Sequence, residues 1–281
     1  MTGGSSQAVA IVRHPESDRA AALEDQVRSW LVGHGHRTAP MAEADVVVSI
    51  GGDGTMLRAV DQASSRGTPV LGINMGQLGY LTEVDPSHWE PALERWDRGG
   101  ARVADRIVLA VRIERAGVAP DPVADAPVAL ADGTYLALNE VVVEKTPIGR
   151  MVRLGVVLEG DFFNTYAADG MIVATPTGST AYALSARGPI VDPEHRAIVL
   201  TPVAPHMLFD RALVLTPGTE VRLEVRGDRP ATVALDGRSV GELAVGDAVV
   251  ATAADRPARL LTFGDHSFHD VLKAKFGLED R

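Results

Sequence analysis

The sequence predicts a Rossmann-like parallel α/β domain followed by a β-rich, sandwich-like domain, with the C-terminal segment packing back on the first. Three observations predict it. Up to residue 99, short β-branched apolar runs alternate with stretches whose apolar residues recur at helical spacing, which is the pattern of strands and crossover helices. After Gly99-Gly100 the period changes to short strands separated by turn pairs such as Pro217-Gly218 and Asp236-Gly237. Residues 271–276 (V-L-K-A-K-F) then read as helical again. The expected division is residues 1–103, joined by 264–281, and residues 104–263.

In order, residues 8–12 (A-V-A-I-V) read as a buried strand, and residues 17–32 as a helix with Ala20, Leu23, Val27 and Leu31 on one face. Residues 46–50 (V-V-V-S-I) form the next strand, and a helix follows from Thr55 through Met56, Leu57, Val60 and Ala63. Residues 69–74 are a third strand, and 86–96 a helix with Trp89, Leu93 and Trp96 on one side. Strands alternating with helices imply a parallel sheet covered on both faces, with ligands gathering at the carboxyl ends of its strands. The second half predicts strands at 107–113, 135–143, 152–158, 162–166, 171–174, 197–200, 212–215, 221–225, 232–235 and 249–252. Residues 116–132, rich in Ala, Pro and Asp, read as a mobile loop.

With 281 residues and 46% hydrophobic content the chain can bury two ordinary cores. The absence of cysteine excludes disulfides and thiolate zinc sites. No stretch of about 18 apolar residues occurs and residues 1–7 lack a signal pattern, so the expectation is a soluble cytoplasmic protein without a membrane partner. A net charge of −10 argues against nucleic acid, so any phosphate ligand must be met locally by loop amides, helix N-termini, a metal ion or a few arginines.

The densest motif is Gly51-Gly52-Asp53-Gly54-Thr55, a glycine loop between a strand and a helix. Such a loop suits a phosphate, but Asp53 repels one. Asp53 either accepts a proton from a nucleophilic hydroxyl or holds a metal, or else caps the helix that follows. The loop is neither a Walker sequence nor the dinucleotide G-x-G-x-x-G. A second motif, Thr175 through Tyr182 (T-P-T-G-S-T-A-Y), reads as a loop entering a helix, either to meet a ligand or simply to cap it. Asn139-Glu140 interrupts an apolar strand, and its polar groups need partners in a ligand or in the backbone. Asp169-Gly170 is a turn or a binding pair, and Arg58 a phosphate contact or a solvated helix face. The histidines lack metal-ligand spacing.

Taken together, Gly51 to Thr55, the run G-I-N-M-G-Q-L-G-Y-L at residues 72–81, Asn139-Glu140 and the run from Asp169 to Tyr182 resemble the NAD kinase family. Agreement is weaker at Leu235-Asp236-Gly237 and over residues 268–277. The resemblance implies phosphoryl transfer from ATP or inorganic polyphosphate to the 2′-hydroxyl of the adenosine ribose of NAD, giving NADP, with Mg²⁺ assisting. It implies Asp53 as general base, and Gly51, Gly52, Gly54 and Thr55 as the phosphate-donor loop, with Gly54 also beside NAD. Asn139 and Glu140 would hold the dinucleotide, Asp169 its nicotinamide end, and Thr180, Ala181, Tyr182 and Ser185 its adenine half. Arg58 and Arg150 fall where some relatives carry a basic residue. A homodimer or homotetramer with sites shared between subunits is also implied. The alternatives are a lipid kinase of the diacylglycerol or sphingosine type, which shares the Gly-Gly-Asp-Gly-Thr loop, and a non-catalytic NADP-binding sensor.

Overall fold

The computed structural model describes residues 6–76, 79–117, 123–124, 126–146, 150–265 and 267–278. Gln77 and Leu78 of the second family motif, part of the expected loop at 116–132, and His266 lie outside the described residues. The chain divides into two compact units, Met1–Asp105 with Ala258–Arg281, and Arg106–Pro257.

The first unit carries a six-stranded sheet in the order β2-β1-β3-β4-β18-β5. Its first members are β1 (Ala8–Arg13), β2 (Arg37–Thr38), β3 (Val46–Gly51) and β4 (Val70–Asn74), paired in parallel. Every residue of β3 and β4 is buried, as expected of strands covered on both faces. Two long helices supply cover: α1 (Asp18–Gly33) buries Ala20, Leu23, Val27 and Leu31, and α2 (Asp53–Ser64) buries Met56, Ala59, Val60 and Ala63. Ser17 caps α1, its hydroxyl accepting the amide of Ala20 at 3.2 Å. α3 (Trp89–Asp97) follows a short 3₁₀ turn at Pro86–His88 and buries Leu93.

The sequence reading ends the second domain at residue 263, yet β18 (Ala258–Thr262) pairs in parallel with β4, Leu260 opposite Val70. That strand belongs to the first sheet, where it lies between β4 and β5 (Arg102–Arg106). The chain then closes with α5 (Phe268–Phe276), which has a Ser267–Asp270 capping box and Gly277 in the left-handed region at φ 60°. The Lys275 ammonium of α5 lies 4.7 Å from the centre of the Tyr80 ring.

The second unit is built from β6 (Leu109–Glu114), β7 (Tyr135–Ala137), β8 (Glu140–Lys145), β9 (Val152–Leu158), β10 (Asp161–Ala168) and β11 (Gly170–Ala174). It continues through α4 (Tyr182–Ser185), β12 (Ile198–Val203), β13 (Leu213–Leu215), β14 (Val221–Arg226), β15 (Ala231–Leu235), β16 (Arg238–Leu243) and β17 (Ala248–Ala253). They form two six-stranded sheets, β10-β9-β14-β17-β6-β7 and β13-β12-β11-β8-β15-β16, antiparallel throughout. One core joins them: Val111, Leu154, Leu223 and Val249 from the first sheet meet Val143, Val173, Leu200 and Val233 from the second. The other face of β8, β11 and β12 is covered at Val142, Ile172 and Val199 by Ala183 of α4. That packing fixes α4 beside the start of β8.

The expected single strand at 135–143 is two strands, because the backbone at Leu138 and Asn139 turns its amides away from the ladder. The amides of Leu138, Asn139 and Glu140 all go to the carboxylate of Asp236. β16, which the sequence reading does not include, follows directly from that turn.

Candidate active site

In the first unit the glycine loop leaves the carboxyl end of β3, the position at which parallel sheets receive ligands. Gly52, not Asp53, is the N-cap of α2, and it makes no side-chain cap. Asp53 occupies the first helical position and turns its carboxylate to the segment after β4. Oδ2 accepts the Tyr80 amide at 2.9 Å, and Oδ1 accepts the Leu81 amide at 3.2 Å and the Thr82 hydroxyl at 3.3 Å. The helix-cap reading of Asp53 therefore does not hold, since its carboxylate instead ties the segment after β4 to the loop. The backbone reinforces the pairing, since the Met75 amide donates to the Gly51 carbonyl at 3.0 Å.

Two glycines make this approach possible. A Cβ on Gly79 would fall 2.7 Å from Thr82 Oγ1 and 2.8 Å from Asp53 Cγ. One on Gly51 would fall 2.6 Å from Thr55 Cβ, because the Thr55 side chain is buried under the loop. Thr55 thus supports the loop from beneath, whereas Gly54 is exposed at its tip. Arg58 is half-buried one turn further along α2. Burial first, and then the Asp53 charge, push the Tyr80 hydroxyl above its ordinary range.

In the second unit the structure gathers Asn139, Glu140 and the Thr175–Tyr182 run around the start of β8 and α4, while Asp169 lies at the other end of β8, beside Lys145 and near the Tyr182 hydroxyl. Thr175 ties the run down, its hydroxyl donating to the Leu138 carbonyl at 2.6 Å and accepting the Gly178 amide at 3.0 Å. Thr177, Gly178, Ser179 and Thr180 form a 3₁₀ turn ahead of α4. Gly178 packs on the Asn139 backbone so closely that a Cβ would lie 2.5 Å from the Asn139 carbonyl carbon. Asn139 is half-buried, while Ser185 is exposed at the end of α4.

Glu140 is only 5% exposed. Burial and the neighbouring Asp236 raise its carboxyl to about 8, against a smaller opposing effect of the Tyr182 amide, which donates to it. Its Oε2 and the Thr177 hydroxyl are both buried without a hydrogen-bond partner among the described residues. Both atoms lie on adjoining segments and have hydrogen-bonding capacity to spare. The Asp169 carboxylate accepts from Lys145 Nζ at 2.8 Å, and the Lys145 amide donates to the Asp169 carbonyl, also at 2.8 Å. The Tyr182 hydroxyl is pushed up by burial first, and also by Glu144, with which it hydrogen-bonds, and by Asp169.

A cavity of about 500 Å³ opens beside Ser185, lined also by Arg187, Ala204, Asp210 and Arg211. Its size suits a small-molecule ligand. Arg187 and Ala204 both stand in the left-handed region, at φ 65° and 42°. Arg150 is exposed two residues before β9, and its expected role rests on the family resemblance alone. Sequence reasoning missed Lys145 and the part played by Asp236, whose partners lie 96 to 98 residues away. The signals for Asp236 were its place in an Asp-Gly turn pair and the weaker family agreement at Leu235-Asp236-Gly237.

Comparison with known proteins bears on both halves. The ATP-NAD kinase N-terminal domain profile matches residues 34–100, and the ATP-NAD kinase C-terminal domain profile matches residues 138–263. An NAD kinase of Heliobacterium modesticaldum is 41% identical over 236 residues, covering 84% of this chain and 79% of that protein. An NAD kinase of Acidobacterium capsulatum is 34% identical over 294 residues, covering 97% of this chain and 99% of that protein. The fold matches yeast NADH kinase complexed with NADH at a TM-score of 0.81, with 22% identity over 98% of this chain and 89% of that one. It matches an Archaeoglobus fulgidus NAD kinase in complex with ATP at a TM-score of 0.74, with 24% identity over 96% and 97%. Profile matches in both units and a relative aligned from end to end agree with the motifs on which the resemblance rested: the chain belongs to the NAD kinase family.

Proposed function

We propose that the chain transfers a phosphoryl group from ATP or inorganic polyphosphate to the 2′-hydroxyl of the adenosine ribose of NAD, giving NADP, with Asp53 as general base. The observation that carries this reading is the carboxylate of Asp53, set in a glycine loop and oriented by three donors. Oδ2 takes one of these hydrogen bonds among the described residues, and a carboxylate oxygen has room for a second. As the bond from O2′ to phosphorus forms and the bond to the leaving phosphate oxygen breaks, the hydroxyl proton passes to Asp53. A positioned base of this kind contributes about 10² to 10⁴ in rate.

Gly51, Gly52 and Gly54 leave room for the donor phosphates, and the start of α2 directs amides toward them. On the dinucleotide, Asn139 and Glu140 contact NAD, Asp169 meets its nicotinamide end, and Thr180 through Ser185 its adenine half. Arg58 and Arg150 add positive charge. Mg²⁺ fits as an ion carried mainly by phosphates and water, because Asp53 is the loop's one carboxylate and no cluster of three or more His, Asp or Glu lies among the described residues. When bound it neutralises phosphate charge that Asp53 would otherwise oppose. A homodimer or homotetramer with shared sites, located in the cytoplasm, completes the reading. Among the described residues no helix is long and apolar enough to cross a membrane.

The test is NADP formation from NAD with either donor, with and without Mg²⁺, for the wild type and Asp53→Asn. Product from the wild type with about 10²-fold or greater loss in the variant, and NAD binding retained, is the expected result. A variant with near-normal turnover removes the base assignment, and no product with either donor removes the reaction.

A further inference from the structure

Asp236 stands between β15 and β16 at φ 47°, followed by Gly237 at φ 76°, the left-handed Asp-Gly pair that tight hairpins favour. Its surroundings are the broken strand. Oδ1 accepts the amides of Asn139 and Glu140 at 2.8 and 3.0 Å, and Oδ2 accepts the amide of Leu138 at 2.8 Å. The Asp236 amide in turn donates to the Glu140 carbonyl at 3.0 Å. The turn and the dinucleotide-binding pair are thus locked by four hydrogen bonds.

The second carboxyl at this place is Glu140, buried, with one oxygen lacking a partner. Two adjacent carboxylates, one buried and one half-buried, cannot both ionise cheaply, and the proton goes to the more buried one with fewer donors. Asp236 has three amides, whereas Glu140 has the Tyr182 amide. Burial, Asp236 and the Tyr182 amide are the influences that set the Glu140 carboxyl. In register with Glu140 on β11 is Ala174, and further along β8 the Lys145 ammonium is taken by Asp169 while Glu144 hydrogen-bonds the Tyr182 hydroxyl. Arg238 opens β16 on the far side of the turn.

We propose that Asp236 is a positioning residue that fixes the Asn139-Glu140 backbone and holds Glu140 as a neutral acid, so that Glu140 donates a hydrogen bond to an oxygen or ring-nitrogen acceptor of NAD. The inference rests on the reading of Asn139 and Glu140 as dinucleotide contacts, and it adds their protonation state and its cause. An ionised Glu140 could only accept hydrogen bonds, so NAD affinity falls as the pH rises through the Glu140 titration.

The decisive measurement needs no turnover. In protein labelled with ¹³C at glutamate carboxyls, the signal lost in Glu140→Gln identifies Glu140. It is expected to remain that of a neutral acid at pH 7 and to titrate near the value of about 8, and in Asp236→Asn its midpoint falls. NAD affinity by calorimetry gives the second readout. It weakens above pH 8 in the wild type and loses that pH dependence in Glu140→Gln. In Asp236→Asn it drops by about tenfold, with the break moved to lower pH. Should Asp236→Asn fail to fold, Glu140→Gln carries the test alone, since it leaves the backbone hydrogen bonds in place. An ionised Glu140 at pH 6 to 7, or an unchanged midpoint in folded Asp236→Asn, overturns the proposal. Failure to make NADP while NAD still binds overturns the kinase reading and not this one.

Discussion

The Tyr80 amide donates to Asp53 Oδ2 at 2.9 Å, so the acid of the glycine loop takes its direction from a backbone segment 27 residues later in the chain. That dependence makes the small size of Gly79 a requirement, because any Cβ there displaces Asp53 or Thr82. Gly79→Ala is expected to lower kcat by about 10²-fold with little change in NAD affinity, since a shift of about 1 Å in a reacting group has that effect. Gly33→Ala, at a position where a Cβ meets nothing within 4 Å, serves as the control. Steady-state kinetics of the two variants decide the matter, and equal rates would mean that Asp53 tolerates displacement.

Gly178 packs against backbone rather than a movable side chain, with the Asn139 Cα 2.8 Å from a would-be Cβ. Gly178→Ala must therefore move Asn139 itself. Overpacking of this kind costs on the order of 1–3 kcal/mol, and both the melting temperature and NAD affinity should fall together. A loss of stability with affinity unchanged would detach Asn139 from the dinucleotide.

Glu140 links pH to stability with a definite sign. Its folded carboxyl is raised to about 8 from an ordinary 4.5, by burial first and Asp236 second, so the folded chain holds this proton more tightly than the unfolded chain. The contribution is fully present below the unfolded value and is lost as the pH rises through the folded one. Glu140→Gln has no proton to lose. It is expected to match the wild type near pH 4 and to exceed it by on the order of 2–4 kcal/mol at pH 8, measured by urea denaturation. Parallel pH profiles would show that Glu140 titrates alike in both states.

The sequence disclosed the elements whose signals are local. β3 is legible because all six residues are buried, and α1 because Ser17 caps a regular apolar face. β5 and β16 escaped notice: β5 (R-V-A-D-R) has no buried residue, and β16 contains Gly241 and pairs across a bulge at Val233/Ala234. β18 was not read as a strand and its residues were placed in the second domain, because parallel pairing with β4 joins segments about 190 residues apart, which no local pattern records. The site divides in the same way. The motifs were visible, but whether Asp53 capped α2 depended on the distant amides of Tyr80 and Leu81, and the Asp236 contacts are equally remote.

β18 also bears on how the chain emerges from the ribosome. β4, buried at all five residues, is translated early, yet its neighbour in the sheet is made only after the whole of Arg106–Pro257. The second unit is continuous in sequence and can collapse while the first still presents an open, apolar strand edge. Such an edge invites pairing with other chains. Completion of this sheet therefore requires residues 258–262, the last strand of the chain to be made.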